Sequence, residues 1–179
     1  MAYRGVWGTF YHIPKCGGVA LRSFLRSHYH DPGTEIGNRH TLPQEDHDLT
    51  NAWTVVRHPA EWLLSYYAYV ADHDWQWDDC PSEISDLFRF AEGMFWPMWV
   101  NAVAGLAGKV YGLYCLPGMK VRRLEEIDKL LGEAIPAKNV TEIKPVMLLE
   151  HWKAICEAEH STLVRYGYDD TPTEIVRIR

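Results

Sequence analysis

The sequence is poor in several things at once, and each shortage removes a class of function. It has only four cysteines (Cys16, Cys80, Cys115 and Cys156) in 179 residues, far apart and with no C-x-x-C pair. That spacing fits neither a disulfide framework nor a zinc site, and it points to a reducing compartment. Basic residues are outnumbered, 18 Lys and Arg against 24 Asp and Glu for a formal net charge of −6. A nucleic-acid scaffold or a dedicated polyanion binder carries the opposite balance, so any anion site has to be local. The least polar stretch, residues 93–108, is interrupted by Pro97, Asn101 and three glycines. It falls short of the roughly 20 clean apolar residues of a membrane span and reads as buried helix and turn. Strand-like sequence begins within a few residues of Met1, with no leader pattern ahead of it. Repeats, low-complexity tracts and linkers are missing too. The expectation is one domain over residues 1–179 of a soluble, cytoplasmic protein, with no nucleic-acid or membrane partner.

What is present is a chain 47% hydrophobic and 13% aromatic, ample for one core. Its most informative segment is Phe10-Tyr11-His12-Ile13-Pro14-Lys15-Cys16-Gly17-Gly18-Val19-Ala20-Leu21. An apolar, β-prone run stops at a proline, a lysine and two glycines follow, and a helical pattern then runs to about residue 28. Strand, glycine turn and helix N-terminus make an anion cradle, since glycine lets the N–H groups curl inward and the helix end is partially positive. Lys15 adds a full charge at its mouth. A Walker A loop has its lysine after the glycines with a hydroxyl beside it for magnesium. Here the lysine comes first, and Val19 and Ala20 carry no hydroxyl.

The remaining pattern alternates strand and helix. Strands are expected at residues 7–13, 52–57 and 120–124, with one short strand inside the polar segment 31–50. Helices are expected at 17–28, from Pro59 onward, at 83–91, 97–106, 125–134 and 145–159, with further segments at 163–168 and 173–178. Pro59 suits a first helical position, and Trp62, Leu63, Tyr66, Tyr67 and Val70 form a stripe at helical spacing. Alternation of this kind predicts an α/β fold, a three-layer sandwich around a central parallel sheet of about four to five strands. Ligands in such folds bind beyond the carboxyl ends of the strands, where Lys15 and Arg57 both fall.

Arg57, in Thr54-Val55-Val56-Arg57-His58-Pro59, is followed by Ser65 eight residues later. A planar guanidinium suits phosphate oxygens and a helix serine adds a hydroxyl, although an ion pair and a helix cap use the same residues. The two segments, in this order and at this distance, resemble the sulfotransferases that use 3′-phosphoadenosine 5′-phosphosulfate (PAPS). The likeness is to the branch whose first motif reads H-I-P-K-x-G-G, which includes carbohydrate sulfotransferases. Weaker echoes are Val121-Arg122-Arg123-Leu124-Glu125, Asn139-Val140-Thr141 and Tyr166-Gly167-Tyr168. The resemblance implies a P-loop-NTPase-like sulfotransferase fold without a metal. It implies that Lys15, Cys16, Gly17, Gly18, Val19, Ala20 and Leu21 hold the 5′-phosphosulfate, and that Arg57 and Ser65 hold the 3′-phosphate. Lys15 would stabilise the leaving oxygen, and His40, between the two motifs, would be the general base toward a carbohydrate or small-molecule hydroxyl.

This chain departs from the family where Thr-Ser or Ser-Thr usually follows the glycines, for it has Val19-Ala20, and where many relatives have arginine it has Trp62. Two other readings stay open beside transfer: a non-catalytic module binding adenosine 3′,5′-bisphosphate, and an atypical small-molecule kinase. Among the remaining histidines, His12 reads as a packing residue, and His58 as a nucleotide contact or a helix cap. His28 and His30 read as surface residues, because alternate residues at a helix end diverge. Trp75 and Trp77 are placed near an acceptor cleft, and Trp96 and Trp99 in the core.

Overall fold

The computed structural model describes residues 2–30, 33–37, 40–44, 48–72, 105–136 and 147–172. They belong to two compact units interleaved along the chain. Residues 2–57 and 111–136 fall in the first, and residues 58–72, 105–110 and 147–172 in the second.

The first unit is built on a five-stranded mixed sheet. Its strands are β1 (Ala2–Gly5), β2 (Gly8–Tyr11), β3 (Thr34–Ile36), β4 (Ala52–Val56) and β5 (Lys120–Arg123), in the order β3-β1-β2-β4-β5. The α/β class and the strand number agree with the sequence pattern, but the sheet is not wholly parallel. One strand is expected over residues 7–13. Instead, Val6 and Trp7 form a tight turn between Gly5 and Gly8, which face each other in the register. So short a connection can only join antiparallel strands. β1 therefore runs antiparallel to β2, and β3 pairs antiparallel on its other side. The parallel part is β2-β4-β5, with Tyr11 beside Thr54 and Val56 beside Arg123. Those three strands bring their carboxyl ends together.

β4 is buried along its whole length, as a central parallel strand must be. Its two sides do different work. Trp53 and Val55 join Tyr3, Phe10, Leu21, Leu25 and Ile127 in a core cluster that seats helix α1 (Gly18–His28) on the sheet. On the other face the buried Thr54 hydroxyl donates to the Tyr11 carbonyl at 2.7 Å. After β5 the chain makes one 3-10 turn (Leu124–Glu126) before a short helix (Ile127–Leu131), where one longer helix was expected.

The described residues of the second unit are mainly helical. α2 (Pro59–Asp72) begins at the proline, as its pattern implied, with Trp62, Leu63 and Tyr66 fully buried. It packs against the helix Leu149–Ala158, which a further helix, His160–Tyr166, follows at once. Helix Leu106–Tyr114 begins in this unit, and its last turn belongs to the first. Its N-terminus is closed by a carboxylate from far along the chain. Glu159, buried, accepts from the N–H groups of Ala107 at 2.7 Å and Gly108 at 2.9 Å. Two orphan donors of a helix end are thus satisfied by an anion on the positive end of the dipole. Burial nevertheless outweighs those bonds and pushes the Glu159 carboxyl above its usual range.

Candidate functional site

The strand-to-helix loop after β2 has the backbone of an anion cradle. Lys15 has φ +63° and Gly17 φ +72°, both left-handed, while the residues between and after them are not. Successive residues of opposite hand turn neighbouring N–H groups toward one side. A non-glycine residue in this region is strained by about 1 kcal/mol or more. Such strain fits a lysine held for its charge rather than for its packing.

The loop amides are not equivalent. The Cys16 N–H is already given to the Ile13 carbonyl at 3.2 Å, and the first helical bond runs from the Leu21 N–H to the Gly17 carbonyl at 3.0 Å. The amides of Gly18, Val19 and Ala20 open the helix ahead of that ladder. Cys16 and Leu21 therefore lie in the expected segment but present neither side chain nor amide to a ligand, for both side chains are about 99% buried. The close packing explains both glycines. A Cβ on Gly17 would come within 2.8 Å of Leu124 Cδ1, and one on Gly18 within 1.9 Å of His12 Cδ2.

Two cations meet at the strand ends. Lys15 is brought down to a pKa of about 8, first by burial, then by the Arg57 guanidinium, with a small opposing contribution from Cys16. Arg57 directly follows β4, the strand paired in parallel with β2. Each cation raises the energy of the other, and an anion held between them would relieve both. The Cys16 thiol is driven far above its ordinary value, chiefly by burial, so it is no nucleophile at neutral pH.

Two residues that sequence reasoning left aside, and His12, which it read as a packing residue, hold this arrangement. Tyr111, fully buried, clamps Arg57 across 54 residues of chain. Its hydroxyl donates to the Arg57 carbonyl at 2.7 Å and accepts from the Arg57 N–H at 3.4 Å. The same hydroxyl interacts with the Cys16 thiol, tying loop to strand. One turn on, Tyr114 donates to the carbonyl of His40 at 2.8 Å. The third is His12, whose ring lies 5.1 Å from the ring of His40. His40 is thus brought beside the cradle and buried, rather than left in a solvated loop. A usable signal was present: two tyrosines three apart on an apolar helix must find partners for their hydroxyls when buried.

Other candidates have different positions. Ser65 lies half-buried on α2 in the second unit. His58 caps α2: its Nδ1 accepts from the Ala60 N–H at 3.2 Å, and Nε2 lies 2.9 Å from the Asp169 carbonyl. Its ring stacks on Trp152 at 4.7 Å. With both ring nitrogens engaged, His58 is structural, the neutral Nε2–H tautomer. His28 is exposed and pairs with Glu133 at 3.3 Å. Trp75, Trp77, Trp96, Trp99 and Asn139-Val140-Thr141 lie outside the described residues. Among the described residues no group of three or more His, Cys, Asp or Glu side chains could hold a metal ion, and no helix is long and apolar enough to cross a membrane. A groove of 440 Å³ along α1 is lined by Val19, Arg22, Ser23, Arg26 and Ser27. Its two arginines both pair with Glu35, at 3.3 and 3.5 Å.

No known protein family, curated protein or solved structure matches this chain.

Proposed function

We propose that this protein is a PAPS-dependent sulfotransferase of P-loop-NTPase-like fold, acting on a hydroxyl of a carbohydrate or small molecule. The observation that carries the reading is the cation pair. Lys15 sits in a left-handed turn at the head of α1, within electrostatic reach of Arg57 at the end of the adjacent parallel strand. A nucleotide with two anionic groups could offer one of them to each cation.

The residues fit such a nucleotide in most respects. The amides of Gly18 and Val19, with Ala20 beside them, would hold the 5′-phosphate, and Gly17 supplies the turn that aims them. Arg57 would hold the 3′-phosphate. When bound, the nucleotide supplies an activated sulfuryl group, whose transfer to an acceptor oxygen leaves charge on the 5′-phosphate. Lys15 would neutralise that growing charge, the kind of interaction that is stronger in the transition state than before it. His40 would take the proton of the acceptor hydroxyl. Cys16 and Leu21 serve the cradle by packing beneath it.

One specific feature favours a second reading, a non-catalytic module that binds adenosine 3′,5′-bisphosphate. Val19-Ala20 supplies no hydroxyl to the phosphate. Each missing hydrogen bond to a charged partner is worth about 1.5–3 kcal/mol.

Thermal unfolding with ligands tests these readings. Saturation at about 100 times the dissociation constant stabilises by about 2.7 kcal/mol. The expected order is adenosine 3′,5′-bisphosphate above ADP, with the preference lost in Arg57→Ala. Equal response to the two nucleotides defeats the 3′-phosphate assignment, and a magnesium-dependent response to ATP alone favours a kinase. Binding of the bisphosphate without transfer from PAPS to a panel of hydroxyl acceptors supports the non-catalytic module.

A further inference from the structure

We propose that His12 is a positioning residue for His40, seating that imidazole beside the N-terminal turn of α1. The inference rests on reading His40 as the general base, but its geometry needs no ligand. His12 follows β2 directly, and its ring lies against the first residue of α1. A Cβ at Gly18 would come within 1.9 Å of the His12 Cδ2 and 2.5 Å of its Nε2. Only a residue without a side chain admits the ring there.

The same ring stacks at 6.4 Å and 25° on Phe10, a core residue 1% exposed. It meets His40 at 5.1 Å and 47°. His12 is thus placed by the core on one side and by the cradle backbone on another, and it offers its remaining surface to His40. The His40 backbone is anchored independently, by the Tyr114 hydroxyl on its carbonyl at 2.8 Å. One contact therefore fixes where the loop passes, and the other fixes where the ring sits. A helix N-terminus with a buried imidazole against it is the right place for a base that must meet an acceptor hydroxyl near a phosphate.

The pairing also carries an electrical consequence. Two imidazolium ions this close repel, so their protons are taken up in separate steps and one ring stays neutral to lower pH. The charged groups of the surrounding elements are Lys15 in the loop after His12 and Arg57 after β4, both cationic, and Glu125 after β5, whose charge reaches Cys16. The cations act in the same direction as the second imidazole, disfavouring double protonation. A general base needs that neutral form.

Imidazole-detected NMR of the full chain, titrated from about pH 5 to about pH 9, tests the proposal. In the wild type the His40 signals are expected to move in two steps, one of them coincident with His12. His12→Phe keeps an aromatic ring against Gly18 but cannot titrate. It should preserve the cross-ring nuclear Overhauser contacts to His40 while reducing its titration to one step. Gly18→Ala should displace the His12 ring and shift the His40 resonances, with the helix content by circular dichroism unchanged. A His40 titration identical in the wild type and in His12→Phe, or His40 resonances indifferent to Gly18→Ala, overturns the proposal. The same samples are then titrated with adenosine 3′,5′-bisphosphate. Coupled imidazoles without binding defeat the sulfotransferase reading and leave the pair standing, whereas binding with uncoupled imidazoles defeats the pair alone.

Discussion

If Lys15 is the cation that grips a phosphate, its lowered pKa makes ligand affinity depend on pH in a range where ordinary lysines do not titrate. The ammonium is held near a pKa of about 8 by burial and by Arg57. Relative to a free lysine this is a penalty on the charged form of about 3 kcal/mol as an upper bound. The sign for stability follows directly. The unfolded chain binds this proton more tightly, so the penalty is fully present below about pH 8 and disappears as the pH rises toward the ordinary value of about 10.5. A dianionic ligand reverses the preference, since the ammonium then has a counter-charge. Between about pH 7.5 and about pH 9.5 the protonated fraction of free Lys15 falls from about three quarters to a few per cent. The ligand phosphates stay fully ionised over that range. Affinity for adenosine 3′,5′-bisphosphate should then fall about twentyfold, close to 2 kcal/mol. Calorimetric titrations in two buffers of different ionisation enthalpy should record nearly one proton taken up per ligand bound at the upper end. Lys15→Arg, which keeps its charge, should bind with an affinity flat across the range. A flat profile in the wild type, or an equal fall in Lys15→Arg, refutes the placement of Lys15 on the phosphate.

Further outcomes follow from single contacts. Tyr111→Phe removes the hydroxyl that serves both backbone groups of Arg57 and touches Cys16. It should cost about 1–3 kcal/mol of stability, read by denaturant unfolding, and should weaken bisphosphate binding; unchanged values for both would remove Tyr111 from the site. Val19→Thr restores a hydroxyl at nearly constant volume and should tighten bisphosphate binding by threefold or more, measured by the same calorimetry, while no gain would place the 5′-phosphate elsewhere. Glu159 has a carboxyl pushed upward by burial, so the folded state holds its proton more tightly than the unfolded chain. Its contribution is fully present below the ordinary carboxylate pKa and falls as the pH rises through the raised value. The melting temperature of the wild type should therefore fall relative to that of Glu159→Gln as the pH rises; a relative rise would show that the two amide bonds outweigh burial.

Local pattern was enough for the parts whose causes are local. The strand ending just before Arg57, the helix opened by Pro59, the buried stripe of Trp62, Leu63 and Tyr66 and the glycine turn at Gly17 all follow from short-range propensity and apolar spacing. The reading failed first where two local signals competed. The strand expected at 7–13 took in Gly8, although the two glycines that bracket Val6 and Trp7 were themselves a turn signal. The decision came from pairing, because Gly5 and Gly8 close against each other only when Ala2–Gly5 is itself a strand. That pairing also turned the expected parallel sheet into a mixed one.

The chemistry of the site divides along the same line. Sequence by itself determined which groups are available at the strand ends: a lysine before two glycines, an arginine closing a buried strand, and no hydroxyl at Val19-Ala20. Only tertiary structure decided their states. The lowered Lys15 pKa arises from burial and from Arg57 on the neighbouring strand. The hold on Arg57 comes from Tyr111, 54 residues away. His40 meets His12, and Tyr114 grips its carbonyl from 74 residues off. These are field and contact effects between segments distant in the chain. Their strength depends on separation and burial in space, which residue order does not specify.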